Sequence, residues 1–146
     1  MKDSAVKEAI KMRKRAVATY SNYTVGAAVV TETGEIIGGC NVESSSYGLT
    51  CCAERIAIYN ALSAGHKKFT VLAVATDNGG KPCGACRQVI WDICGEIIIY
   101  TVGKDGNIFE TTSADLLPDA FGEDCLLYTS DAADEGLGVD LGGRRI

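Results

Sequence analysis

The sequence predicts an α/β fold built on a five-stranded mixed sheet. Three observations point to it. Short, β-branched apolar runs alternate with segments of helical periodicity along the chain, the pattern of helices layered on a sheet. The first two strand-like runs are separated only by a Gly-containing turn, so they form an antiparallel hairpin. A length of 146 residues with a hydrophobic fraction of 47% suits one globular domain and is too short for two.

The elements follow in order. Asp3 and Ser4 are good N-cap residues, and Val6, Ile10 and Val17 recur behind them at roughly helical spacing, predicting an amphipathic helix to about Ala18. Tyr20-Ser21-Asn22-Tyr23 reads as a loop. Val25 to Thr31 is small and β-branched, a buried strand; Glu32-Thr33-Gly34 turns, and Glu35 to Gly39 returns as the second strand. Ser44 to Thr50 is polar and irregular, suited to lining a site. Cys52 to about Ala64 is apolar nearly all round, which predicts a helix buried on several sides and stopped by Gly65. Thr70 to Thr76 is a central strand, followed by the turn Asp77-Asn78-Gly79-Gly80. Pro82 opens a third helix at its first turn, carrying Cys86, Val89, Ile90 and Ile93. Glu96 to Thr101 is the fourth strand and Ile108 to Thr111 a short fifth. Thr112 or Ser113 caps a last short helix through Leu117, which Pro118 ends.

The C-terminal stretch reads as foreign. Cys125 to Glu135 (CLLYTSDAADE) and Gly138 to Ile146 (GVDLGGRRI) match, in order, the two arms of a translated sequencing-library adapter. Residues 125–146 are therefore expected to be a non-native, disordered tail, leaving 1–124 as the domain.

Composition excludes several function classes. The formal net charge is −5, with no basic run and no aromatic-basic interleaving, so no footprint for nucleic acid is present. No apolar run approaches the roughly 20 residues of a membrane helix, and the N-terminus carries no apolar signal segment. A cytoplasmic protein is the expectation. Its seven cysteines then read as thiols and metal ligands rather than disulfides.

The chemistry concentrates in Thr50-Cys51-Cys52-Ala53-Glu54-Arg55 and Lys81-Pro82-Cys83-Gly84-Ala85-Cys86-Arg87-Gln88. Cys52, Cys83 and Cys86 can close three corners of a zinc tetrahedron and leave the fourth for water, the arrangement of a catalytic site. Cys52 and Cys83 fall at predicted helix starts, whose free N–H groups favour thiolate. Cys83 and Cys86 lie one helical turn apart and can reach one ion. Glu54 follows the first thiol by two residues and is the candidate proton carrier. Cys-x-Glu with Pro-Cys-x-x-Cys is the all-cysteine form of the zinc deaminase signature. Three thiolates overcompensate the metal's charge, so a cation is needed; Arg55 is favoured over Arg87 for hydrogen bonds to the ligand sulfurs. A four-cysteine structural site using Cys51 is disfavoured, because neighbouring residues at a helix start point apart. Cys40, Cys51, Cys94 and Cys125 read as packing or incidental thiols. His66 reads as a solvated surface residue, and Trp91 as core or interface.

On these residues the chain resembles the small, homotetrameric cytidine deaminases of nucleoside salvage, from about Ala16 to Asp124. Tyr20-Ser21-Asn22-Tyr23-Thr24-Val25-Gly26-Ala27-Ala28 is similar to the family's entry motif, with Tyr23 where Phe is usual. Cys40-Asn41-Val42-Glu43, Ser46-Tyr47-Gly48-Leu49-Thr50, the two cysteine motifs, Leu116-Leu117-Pro118 and Phe121-Gly122 follow in family order. The resemblance implies a three-layer α/β/α fold, one zinc per subunit, and hydrolysis of cytidine and 2′-deoxycytidine to uridine and 2′-deoxyuridine with release of ammonia. It also implies that Asn41 and Glu43 bind the ribose hydroxyls, that Ala53 offers its backbone to the base, and that Tyr23 packs on the pyrimidine. Tyr47 and Phe121 would reach a neighbouring subunit's site. The rival readings are a blasticidin S-type aminoacyl-nucleoside deaminase, against which Glu43 argues, and a non-catalytic zinc-stabilised module, in which Glu54 has no task.

Overall fold

The computed structural model describes residues 1–126. The tail predicted over 125–146 therefore lies outside the described residues, apart from Cys125 and Leu126. Among the described residues the elements run in the order α1 (Lys2–Arg13), β1 (Gly26–Thr31), β2 (Ile36–Cys40), a 3-10 turn (Tyr47–Leu49), α2 (Ala53–Ser63), β3 (Phe69–Ala75), α3 (Gly84–Cys94), β4 (Ile98–Val102), β5 (Ile108–Thr112) and α4 (Ser113–Leu116).

The strands form one mixed sheet in the order β2-β1-β3-β4-β5. β1 is antiparallel to β2 and to β3, β3 is parallel to β4, and β5 returns antiparallel to β4. The parallel pair needs a crossover, and α3 supplies it. The predicted hairpin and the central position of β3 are both present.

Side-chain alternation sends Ala27, Val29, Leu72, Val74 and Ile99 to one face of the sheet, against Ala57, Ile58, Cys86 and Ile90 of α2 and α3. The other face, with Ala28, Val30, Val71 and Ala73, packs on Ala5, Val6 and Ala9 of α1. The result is the three-layer α/β/α arrangement. Two glycines allow the layers to approach. A Cβ on Gly26 would lie 2.1 Å from Ala9 O of α1, and one on Gly39 would lie 2.4 Å from Ala57 N of α2.

Several expectations are corrected. α1 starts with Met1 as its N-cap rather than Asp3 or Ser4, and ends at Arg13 rather than near Ala18. Val17 is held extended instead: its N–H donates to Asn41 O at 2.9 Å, and its carbonyl accepts from Glu43 N at 2.8 Å. Tertiary pairing overrides the helical periodicity there, and the buried face is Ala5, Val6, Ala9 and Met12. Pro82 precedes α3; Cys83 is the N-cap and Gly84 the first helical residue. α2 buries one face only, and Tyr59 and Leu62 are exposed. Its end is as expected: Gly65 has φ +98°, Gly65 N–H bonds Leu62 O and His66 N–H bonds Ala61 O, a Schellman closure. His66 is half-buried with Nε2 3.5 Å from Glu35 Oε1, rather than fully solvated. No helix of the described residues is long and apolar enough to cross a membrane.

Candidate active site

Two helix starts converge. Cys52 is the N-cap of α2 and Cys83 that of α3, both in extended backbone, and Cys86 lies in the first turn of α3. The three sulfurs lie within 4.8 Å of one another. Cys52 Sγ and Cys83 Sγ are 3.8 Å apart. Zinc–sulfur bonds of about 2.3 Å at a tetrahedral angle put two sulfurs about 3.8 Å apart. The residues present therefore fit zinc, and no other group of three His, Cys, Asp or Glu side chains among the described residues could hold a metal.

The electrostatics favour thiolate at Cys52. Cys52 is pulled down to about 5, first by the Cys86 thiol hydrogen-bonded to it and then, against its own burial, by Arg55. Cys86 moves upward, as the donor in that bond and as a buried thiol. Arg55 Nη2 donates to Cys52 Sγ at 3.4 Å. Arg87 is committed elsewhere: Nε donates to Pro82 O at 2.7 Å and Nη1 to Leu116 O at 3.0 Å. The preference for Arg55 at the sulfurs agrees with this geometry.

Glu54 sits in the first turn of α2 and is 5% exposed. Burial is the largest influence on its carboxyl, which is pushed up to about 7. It shares a cavity of about 230 Å³ with Cys52, Cys83, Tyr23, Asn41 and Glu43. Residues dispersed over the chain, from the loop before β1 to the turn before α3, are thus brought to one place.

Asn41 and Glu43 reach this cavity from a short bridge. Val42 pairs with Val17 on one side and Cys51 on the other. Asn41 is 7% exposed and both ends of its amide hold backbone: Oδ1 accepts from Val25 N at 2.9 Å and Nδ2 donates to Tyr23 O at 2.9 Å. Glu43 Oε1 accepts from Tyr20 N at 2.9 Å and Ser21 N at 3.0 Å, and Oε2 accepts from the Ser21 hydroxyl. These bonds, led by the hydroxyl, hold its carboxyl below the ordinary carboxylate range. The extra hydroxyl of Tyr23 finds Asn78 Oδ1 at 2.8 Å. Ala53 is fully buried at the start of α2.

Tyr47 and Phe121 stand apart from this cavity. Tyr47 is 79% exposed, in a neighbouring cleft of about 380 Å³ that it shares with Ser21 and Glu43. Phe121 is 57% exposed and lines a groove of about 890 Å³ with Lys67, Lys68, Trp91, Cys94 and Leu126, which contains none of the cluster residues. Trp91 lines that groove rather than the site, consistent with core or interface. Sequence reasoning missed Ser21, Thr76, Asn78 and Gly80. Ser21 lies inside the motif Tyr20 to Ala28 but offers no charge or metal affinity. The turn Thr76–Gly80 offered only turn chemistry: Gly80 N–H bonds Thr76 Oγ1 at 2.8 Å, and Asn78 Oδ1 accepts from Gly80 N at 3.1 Å.

The chain is similar to known proteins in sequence and in fold. The family model described as the cytidine and deoxycytidylate deaminase zinc-binding region matches residues 1–102. A cytidine deaminase of Sporosarcina psychrophila is 45% identical over 132 residues, covering 88% of this chain and 97% of that protein. A blasticidin-S deaminase of Bacillus cereus is 35% identical, covering 67% of this chain and 76% of that protein. The crystal structure of a cytidine deaminase from Burkholderia pseudomallei superposes with a TM-score of 0.80 at 41% identity, covering 83% of this chain and 99% of the other. Three convergent thiols beside a buried glutamate and a family match over most of the domain lead to one conclusion: the chain belongs to the zinc-dependent cytidine and deoxycytidylate deaminase family.

Proposed function

We propose that the chain hydrolyses cytidine and 2′-deoxycytidine to uridine and 2′-deoxyuridine, releasing ammonia. The observation that carries this is Glu54, a buried carboxyl with its pKa near 7, in one cavity with Cys52 and Cys83. Cys52, Cys83 and Cys86 would hold zinc, and zinc there would supply the Lewis acidity that activates water.

The remaining steps belong to side chains. Water adds at C4 of the base while N3 takes a proton, and the amine takes another as it leaves. Water plus cytidine thereby gives uridine plus ammonia. Glu54 is placed to take one proton from the adding water and deliver it to N3, then to take the second from the same oxygen and pass it to the amine, so both protons of the water are used and the carboxylate is returned unchanged. Arg55 offsets the charge on Cys52. Tyr23 packs on the pyrimidine, Ala53 offers its backbone to the base, and Asn41 and Glu43 receive the sugar. The active species is a cytoplasmic homotetramer with one zinc per subunit, in which Tyr47 and Phe121 serve a neighbour's site. Their exposure in the single chain supports that role.

A blasticidin S-type substrate is the second reading, favoured by the relative of that name. Glu43, held at the cavity by three donors, favours a sugar hydroxyl instead. The test is the ultraviolet absorbance change on adding cytidine to zinc-loaded protein, beside Glu54→Ala. Loss of the cytidine band with the wild type alone supports the proposal. A zinc-loaded wild type that is silent on cytidine and active on blasticidin S replaces it with the second reading, and silence on both leaves a zinc-stabilised module.

A further inference from the structure

We infer that Ser21 is a positioning residue: it holds the Glu43 carboxylate ready for a single sugar hydroxyl and ties it to the loop that carries Tyr23. The inference rests on the nucleoside reading above and adds a residue to it.

The turn at 20–23 presents three donors to one carboxylate. Tyr20 N–H and Ser21 N–H both donate to Glu43 Oε1, at 2.9 and 3.0 Å. The Ser21 hydroxyl donates to Oε2. A hydroxyl has one proton and can also accept, and Ser21 Oγ accepts from Tyr23 N–H at 3.0 Å. Its orientation is therefore set from both sides. Asn22 makes the turn possible, with φ 59° in the left-handed region that Asn tolerates and its N–H on Ala18 O at 2.9 Å.

An ionised carboxylate has about four acceptor sites. Two on Oε1 are filled by N–H groups and one on Oε2 by the serine hydroxyl. One remains. Glu43 can accept one incoming hydroxyl, and cannot grip a vicinal diol with both oxygens. Without the Ser21 hydroxyl, Oε2 loses the bond that fixes its direction, and the carboxylate is held through Oε1 alone. Ser21 also lines both the cavity holding Glu54 and the adjoining cleft, so it stands where sugar and base must both be aligned.

The experiment compares cytidine, 2′-deoxycytidine and 3′-deoxycytidine on wild type, Ser21→Ala and Ser21→Thr. The Ala variant is expected to raise KM about tenfold for the first two nucleosides, the scale of one hydrogen bond to a charged group. The ring hydroxyl common to cytidine and 2′-deoxycytidine is the 3′-hydroxyl; KM for 3′-deoxycytidine, which lacks it, moves by less than about twofold, and kcat holds within about twofold for all three. Ser21 is exposed, so Thr has room for its methyl and restores KM. An equal KM rise for all three nucleosides, or none, overturns the inference. If the Ala variant does not fold, Ser21→Cys, with a weaker donor of similar size, carries the same three-substrate comparison. A wild type inert on all three refutes the nucleoside reading itself, an outcome distinct from an active enzyme indifferent to Ser21.

Discussion

The sulfurs of Cys52 and Cys83 stand 3.8 Å apart, each at the N-cap of a different helix. Neither helix alone makes a site. Both are packed on the same sheet face through Ala57, Ile58, Cys86 and Ile90, and that packing sets the spacing. Replacing one ligand, as in Cys83→Ser, is expected to abolish stoichiometric zinc and deamination together. Cys51→Ser should retain one zinc per chain, since Cys51 lies outside the cluster. Metal content after dialysis checks both.

Arg55 donates to Cys52 Sγ at 3.4 Å. Without it the thiolate charge is uncompensated and the metal is a weaker Lewis acid. Arg55→Ala is expected to lower zinc affinity or activity about 10- to 100-fold, as for other residues hydrogen-bonded to metal ligands. Chelator competition separates loss of affinity from loss of rate.

Glu54→Gln keeps the size of the side chain and removes its proton transfer. Deamination should fall about 10²- to 10⁴-fold with zinc retained. A variant with full zinc and near wild-type kcat would remove Glu54 from the proton path.

Tyr23 and Asn78 are joined at 2.8 Å between the loop before β1 and the turn before α3. Tyr23→Phe and Asn78→Ala each break this bond and should each raise KM for cytidine about fivefold, equivalent to about 1 kcal/mol. The double variant should be no worse than Asn78→Ala alone, because Tyr23→Phe removes a contact that Asn78→Ala has already lost. Additive losses would show that the bond does not join the two segments.

Thr101 Oγ1 is buried in β4 with no hydrogen-bond partner among the described residues. Valine keeps the shape and removes an unsatisfied hydroxyl, a group that costs about 1–3 kcal/mol when buried. Thr101→Val should raise Tm by about 3 °C, read by calorimetry on the zinc-loaded protein.

The sheet was legible because strands of five to seven residues carry their own signal. The all-buried run Gly26–Thr31 and the alternating faces of β3 were visible as β-branched and small residues. The end of α1 was not. Val17 fits helical spacing, yet its backbone is claimed by Asn41 and Glu43, residues more than twenty positions later, and periodicity is blind to such pairing. The exposed side of α2 misled for a related reason: apolar residues such as Tyr59 and Leu62 carry no mark of what covers them.

By itself the sequence determined the metal and the reaction class. Thiol count, the one-turn spacing of Cys83 and Cys86, and a glutamate beside Cys52 are local chemical facts that survive without coordinates. Tertiary structure alone decided the rest: that Asn41 spends both ends of its amide on the backbone of Tyr23 and Val25, that Glu43 keeps a single open acceptor site, that Ser21 lines the cavity, and that Asn78 holds the hydroxyl of Tyr23 beside it. The physical reason is that a hydrogen bond depends on distance and direction between groups the chain brings together only on folding. Ligand identity, by contrast, depends on which atoms a residue carries.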